Sequence, residues 1–255
     1  MDTGEVASPF ALRAYLNTCT YGYTTPWWGW DRWEQEIDWM AAHGVDTPLA
    51  MEGQEYVWRE LWRESGLSET AIAEGLSAAP FLPWQRMGNL AGYRAPLSSG
   101  WIEKKHQLQL RILARMRALG MKPVLPAFAG YVPEAFAKAH PRARIYKMRA
   151  WGFPPTYWLD PSDPLFTQLA ARFVTLYNRT YGEGEYYLAD AFNEMIPRSP
   201  RTAATPLPPS TGTPSPTPPP PARRHCRPQC AMRALLRMAS GFTARSPPPR
   251  PRPHG

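Results

Sequence analysis

The chain has 255 residues, 44% of them hydrophobic, and a formal charge of +8. From Arg198 to Gly255 it holds ten arginines, 16 of its 31 prolines and no lysine, aspartate or glutamate, which leaves residues 1–197 at −2. The body therefore gives no compositional reason to expect a nucleic-acid partner. Only Cys19 of the three cysteines lies before this tail, so no disulfide framework can be read. No apolar run approaches the roughly 20 residues of a membrane span, and no membrane partner is expected. Met1–Phe10 lack the basic and apolar regions of a signal peptide; as written the chain is expected to be soluble, with its compartment open.

In chain order, Ala11–Cys19 reads as a first strand. Asp31, with Glu34 three residues on, is placed to cap a helix whose face is Trp33, Ile37, Met40 and Ala41. Gly44 is placed to end it in a left-handed cap. Val45–Met51 then reads as a short strand, although Pro48 removes a ladder donor. Gln54–Ser65 reads as a helix closed by Gly66, and Ser68 as the cap of another. Pro80–Gly100 is expected to be a long loop. Trp101–Leu119 is the clearest helix, with Leu108, Ile112, Met116 and Leu119 on one face. Lys122–Phe128 follows as a strand. Asp163-Pro164 opens a further helix with the residues that helix starts favour. Its face is Leu165, Leu169, Phe173 and Leu176, and Gly182 ends it. Tyr186–Phe192 is the last strand.

Strands alternating with helices argue for a parallel sheet with right-handed crossovers. Four such units make half of a (β/α)8 barrel, which takes about 250 residues. A complete doubly wound sheet is the competing fold. Its phosphate-binding first turn is usually rich in glycine, whereas Thr20–Pro26 contains one, so the barrel is favoured.

Glu194, just after the last strand, stands where a barrel places catalytic carboxylates. Desolvation at a barrel mouth would raise its pKa and suit it to general-acid work. Asn193 could bond a substrate hydroxyl beside it. A solvated loop glutamate is the plain alternative. Trp27, Trp28, Trp30, Trp33 and Trp39 are dense enough that most should be packing residues, and Trp84 in its loop is better placed to meet the apolar face of a sugar ring. Cys19 sits at the expected functional end of the first strand, where a lone cysteine is usually a small buried hydrophobe. His43 and His106 read as surface or packing residues. His225, Cys226 and Cys230 are too few for a zinc site.

Several stretches resemble one family closely. They are Asn17-Thr-Cys-Thr20, the segment from Trp27 to Met40, Gly53-Gln-Glu55, Trp84 to Leu90, Pro123 to Gly130, and Phe192-Asn-Glu-Met195. Together they are similar to the α-N-acetylglucosaminidases, glycoside hydrolase family 89, almost continuously from about Leu12 to Pro197. The resemblance implies a (β/α)8 catalytic barrel, a glycan substrate with terminal α-linked N-acetylglucosamine, retention of configuration, and no cofactor or metal. It places Glu194 as the acid/base and Asn17, Cys19, Tyr23 and Trp84 in the sugar pocket. Family members are typically secreted, periplasmic or lysosomal. They also carry a second glutamate, the nucleophile, on a later strand. No Asp or Glu follows Glu194 here, and retaining hydrolysis needs two carboxyls about 5–5.5 Å apart.

The expected organisation is a remnant at 1–11, a partial catalytic barrel at 12–197 and a low-complexity tail at 198–255. The tail cannot bury enough apolar surface to order itself, and its composition is that of a frameshifted reading frame. On this reading the chain is a truncated product, inactive for want of the nucleophile. A carbohydrate-binding remnant without catalysis is the alternative. An anionic-polymer binder driven by the tail is a third possibility.

Overall fold

The computed structural model describes residues 8–94, 96–148 and 152–190. Asn193, Glu194, the last residues of the expected final strand and the whole tail, with Cys226 and Cys230, lie outside them. The described chain runs β1 (Ala14–Tyr15), α1 (Thr20–Tyr23), α2 (Trp30–Ala42), β2 (Thr47–Pro48), α3 (Gln54–Glu64), α4 (Glu69–Gly75), α5 (Leu82–Arg86) and α6 (Ser99–Ala118). It continues through β3 (Val124–Pro126), β4 (Tyr131–Val132), α7 (Glu134–Ala139), β5 (Ile145–Met148), β6 (Thr156–Leu159), α8 (Pro164–Tyr181) and β7 (Tyr186–Leu188).

Four strands lie side by side in chain order, all parallel. Tyr15 of β1 is opposite Pro48 of β2, Leu49 bridges Val124, and Leu125 of β3 is opposite Tyr187 of β7. A doubly wound sheet reverses its strand order at a switch point. No reversal occurs here, and the crossover helices pack in succession, α2 on α6 and α6 on α8. These are consecutive βα units laid in one direction, as in a barrel wall. Pro48 is tolerated because its neighbours carry the ladder. Leu49 N donates to Tyr15 O at 2.6 Å, while Lys122 N and Ala50 N span β2 and β3 at 2.7 and 3.0 Å.

The first strand is shorter than Ala11–Cys19. Asn17 Oδ1 accepts from Cys19 N at 2.8 Å, an Asx-type turn that competes with strand pairing. Cys19 is thus the N-cap of α1 and not a strand end. Asp31 does not cap α2 either. Gly29 holds that position, and Asp31 lies in the first turn, where its charge still suits the helix N-terminus. The expected face is right: Trp33, Ile37 and Met40 are fully buried. Gly44 follows the helix at φ +73°.

Ser68 and Ser98 cap α4 and α6, accepting from Ala71 N at 3.2 Å and Trp101 N at 3.1 Å. Leu108, Ile112 and Met116 are buried, but Leu119 is exposed because it is the C-cap, beyond the last full turn. Asp163 caps α8 by accepting from Leu165 N at 3.0 Å. Phe173 of α8 packs 4.3 Å from Trp58 of α3, which also meets Phe128.

Two further corrections concern loops. The expected loop at 80–100 contains a 3-10 turn, Ala79–Phe81, and then α5, each started by a proline. The β3-to-α8 connection carries an antiparallel sheet in the order β4-β6-β5, with Tyr131 opposite Trp158 and Met148 opposite Thr156. Of the five clustered tryptophans, Trp33 is core, and Trp28 and Trp30 pack half-buried against it under Arg32 and Arg111. Trp27 and Trp39 are exposed. No helix among the described residues is long and apolar enough to cross a membrane.

Candidate active site

Because the four strands are parallel, the residues that follow them converge on one side. Thr18 after β1, Met51 after β2, Ala127 after β3 and Asp190 after β7 all line one open pocket. The remaining wall comes from α3, α4, α5 and the turn after it, and the antiparallel insert.

The pocket floor is fixed by buried charge. Arg86 forms two bonds with Glu55, Nε to Oε1 at 2.8 Å and Nη2 to Oε2 at 2.9 Å. The side chains are 6% and 2% exposed. Burial alone would lower the Arg86 pKa, but the charge and hydrogen bonds of Glu55 outweigh it and raise it further. Next to this pair, Lys105 Nζ lies 3.0 Å from Glu52 and donates to Thr25 O at 3.1 Å. Burial pushes Glu52 up, and Lys105 and Arg86 oppose that shift. Tyr21, raised strongly by burial, donates to Leu49 O and accepts from Met51 N at 3.4 Å. These bonds tie α1, the end of β2, α3, α5 and α6 together beneath the pocket. The motifs Gly53-Gln-Glu55 and Trp84-Gln-Arg86 were visible in the sequence. That one supplies the counter-ion of the other was not, although an acid and a base in two such segments was the available signal.

Tyr131 and Asp190, which also line the pocket, sit in a drier environment. Burial raises both, and the charge of Asp190 raises Tyr131 further. Gly88 has φ +77°, and a Cβ there would fall inside the Tyr131 ring, so only glycine lets that ring close against the turn after α5. Sequence reading gave no role to Asp190, Tyr131 or Thr156. The first sat inside an expected strand, and the other two belong to the unanticipated insert.

The site residues named from the sequence fall into two groups. Tyr23 and Trp84 come together, ring centroids 6.0 Å apart and edge-on at 64°. Trp84 also lies over Gly22, where a side chain would collide with its ring. Asn17 holds the turn that leads to Cys19. Tyr23 and Trp84 form a shoulder made by α1 and α5, and Asn17 and Cys19 make the turn that leads into α1. The chain neighbours of these four, Thr18, Gln85 and Arg86, line the pocket, while the four themselves do not. Asn193 and Glu194, outside the described residues, follow Asp190 by three and four positions. Among the described residues, no group of three His, Cys, Asp or Glu could hold a metal ion.

The chain matches the model of the Alpha-N-acetylglucosaminidase (NAGLU) tim-barrel domain over residues 13–207. It is 42% identical over 198 residues to the alpha-N-acetylglucosaminidase of Homo sapiens, an alignment that covers 76% of this chain and 27% of that protein. Among solved structures it resembles a family 89 glycoside hydrolase from Clostridium perfringens in complex with 2-acetamido-1,2-dideoxynojirimycin. The TM-score is 0.67 and the identity 31%, over 72% of this chain and 22% of that one. The Clostridium enzyme is also known with two glutamates replaced by glutamine, in complex with its substrate GlcNAc-alpha-1,4-galactose, at the same similarity. The chain thus spans about a quarter of the length of these relatives. On this match, and on the run of parallel βα units that it covers, the chain belongs to the α-N-acetylglucosaminidase family of glycoside hydrolases.

Proposed function

We propose that the strand-end mouth is the sugar site of an α-N-acetylglucosaminidase, acting on glycans that end in α-linked N-acetylglucosamine. The observation that carries this reading is the convergence of the family-like segments after β1, β2 and β3 on one pocket, which Asp190 after β7 also lines. Glu194 is the acid/base. It protonates the glycosidic oxygen as the bond to the leaving sugar breaks, then deprotonates the water that releases the product. Asn193 bonds a hydroxyl of the sugar beside it, and Asn17, Cys19, Tyr23 and Trp84 bind the ring at the α1–α5 shoulder and the turn that leads into it. The Tyr23–Trp84 pair offers an aromatic face and edge of the kind that sugar rings pack against. The working segment is 12–197, in half of a (β/α)8 wall, and residues 1–11 and 198–255 take no part in the chemistry.

Retaining hydrolysis also needs a carboxylate nucleophile. No residue after Glu194 in the sequence is acidic. A second reading, favoured by the aromatic Tyr23–Trp84 pair, is that the segment binds the sugar without turning it over. Release of nitrophenol from an aryl α-N-acetylglucosaminide by the purified chain, abolished by Glu194→Gln, would support the hydrolytic role and refute the inactive reading. Release that survives Glu194→Gln would refute the role given to Glu194.

A further inference from the structure

We propose that Asp190 and Thr156, which line the pocket together with the Glu55–Arg86 pair, bind sugar hydroxyls and help to set which of them the site accepts. The inference rests on the sugar-binding reading above. Two independent observations carry it. The first is Thr156. It lines the pocket, it is only 4% exposed, and among the described residues its Oγ1 has no hydrogen-bond partner. A buried hydroxyl without a partner is costly, and native structures rarely keep one without a reason. A ligand hydroxyl arriving there would supply the missing bond.

The second is Asp190. Its half-buried carboxyl lines the same pocket, and among the described residues no hydrogen bond or cation compensates it. The cation in the pocket wall, Arg86, is already held by both oxygens of Glu55. An ionised carboxylate is an acceptor only, so it selects a donor. A neutral sugar hydroxyl is such a donor, and it carries no charge that would have to be desolvated with it.

The two residues come from different parts of the fold. Asp190 follows β7 of the parallel wall, whereas Thr156 begins β6 of the insert. The insert is pinned to that wall by Leu159 N donating to Gly130 O at 2.8 Å and Trp158 Nε1 donating to Ala129 O at 2.9 Å. The antiparallel insert thereby contributes Thr156 to the lining of the pocket.

The test is calorimetry of the full chain with 2-acetamido-1,2-dideoxynojirimycin and with analogues that each lack one ring hydroxyl. Asp190→Asn should weaken binding of the parent compound about tenfold, the scale of a bond to a charged group, and Thr156→Val about threefold. Thr156→Ser, which keeps the hydroxyl, should bind as wild type does. For one analogue the loss should already be present in wild type and should not grow in the matching variant. If wild type binds the parent compound and both Asp190→Asn and Thr156→Val bind it equally well, the hydroxyl-binding role is refuted and the sugar site stands. If wild type binds none of the compounds, the sugar-binding reading falls and the hydroxyl-binding role with it. Thermal unfolding of each variant separates a lost contact from a lost fold, and a Thr156→Ser variant that folds normally but binds as weakly as Thr156→Val also refutes that role.

Discussion

Replacing Glu55 by glutamine tests the buried charge beneath the pocket. The amide keeps the shape of the side chain but removes the charge that faces Arg86, which is 6% exposed and would be left without its bidentate partner. Breaking a buried pair by removing one member costs about 3–5 kcal/mol, most of it the penalty of the remaining buried charge. Domains are stable by only about 5–15 kcal/mol in total, so the loss is large. For a unit of this size each kcal/mol moves the midpoint by roughly 2–4 °C, so Tm should fall by about 10 °C. Circular dichroism melts and urea titrations of the full chain would measure it. Replacing both partners together, Glu55→Met with Arg86→Met, should recover most of the loss, because two apolar side chains leave no orphan charge. A Glu55→Gln variant within about 1 kcal/mol of wild type, the ordinary worth of an exposed pair, would refute the reasoning.

Gly88→Ala should destabilise the fold by at least the roughly 1–2 kcal/mol of a left-handed non-glycine residue and displace Tyr131 from the pocket wall, visible as a lower urea midpoint and weaker iminosugar binding. Phe173→Ala, at a position that is 0% exposed, should cost about 3–5 kcal/mol in the same urea assay, and a loss below about 1 kcal/mol would contradict its place in the core. Acid should also weaken the fold in a defined direction. The N–H groups of Arg144 and Leu165 hold Asp163 below the usual carboxylate range, and the Arg172 guanidinium does the same for Glu64. A depressed carboxylate contributes its stability above its unfolded pKa and loses it as pH falls through the folded one. The unfolding midpoint should therefore hold from roughly pH 7 to 5 and drop below about pH 4, with a shallower drop in Asp163→Asn.

The parts of the fold that were legible in the sequence are those where one local pattern decides the outcome. The faces of α2, α6 and α8 repeat apolar residues at helical spacing, and Asp163 is a strong cap, so these helices stand close to where the periodicity puts them. Strand ends were less legible. The difference between strand and turn at Asn17 is one side-chain bond to Cys19 N, which no periodicity reports. The antiparallel insert went unseen because its strands have two to four residues each and are specified by pairing across the chain. The site was legible in the same way. The motifs after each strand could be read as family segments, but the pairing of Glu55 with Arg86, and the presence of Thr156 and Asp190 in one pocket, depend on three-dimensional closure between segments 31 or more residues apart.

The most direct test of the central claim is to locate the sugar. Crystals of the full chain soaked with GlcNAc-α-1,4-galactose should show the N-acetylglucosamine ring over the strand ends, between the Tyr23–Trp84 shoulder and Asp190. A sugar bound on the outer helices or at the opposite ends of the strands, or no bound sugar at saturating concentration, would contradict the account.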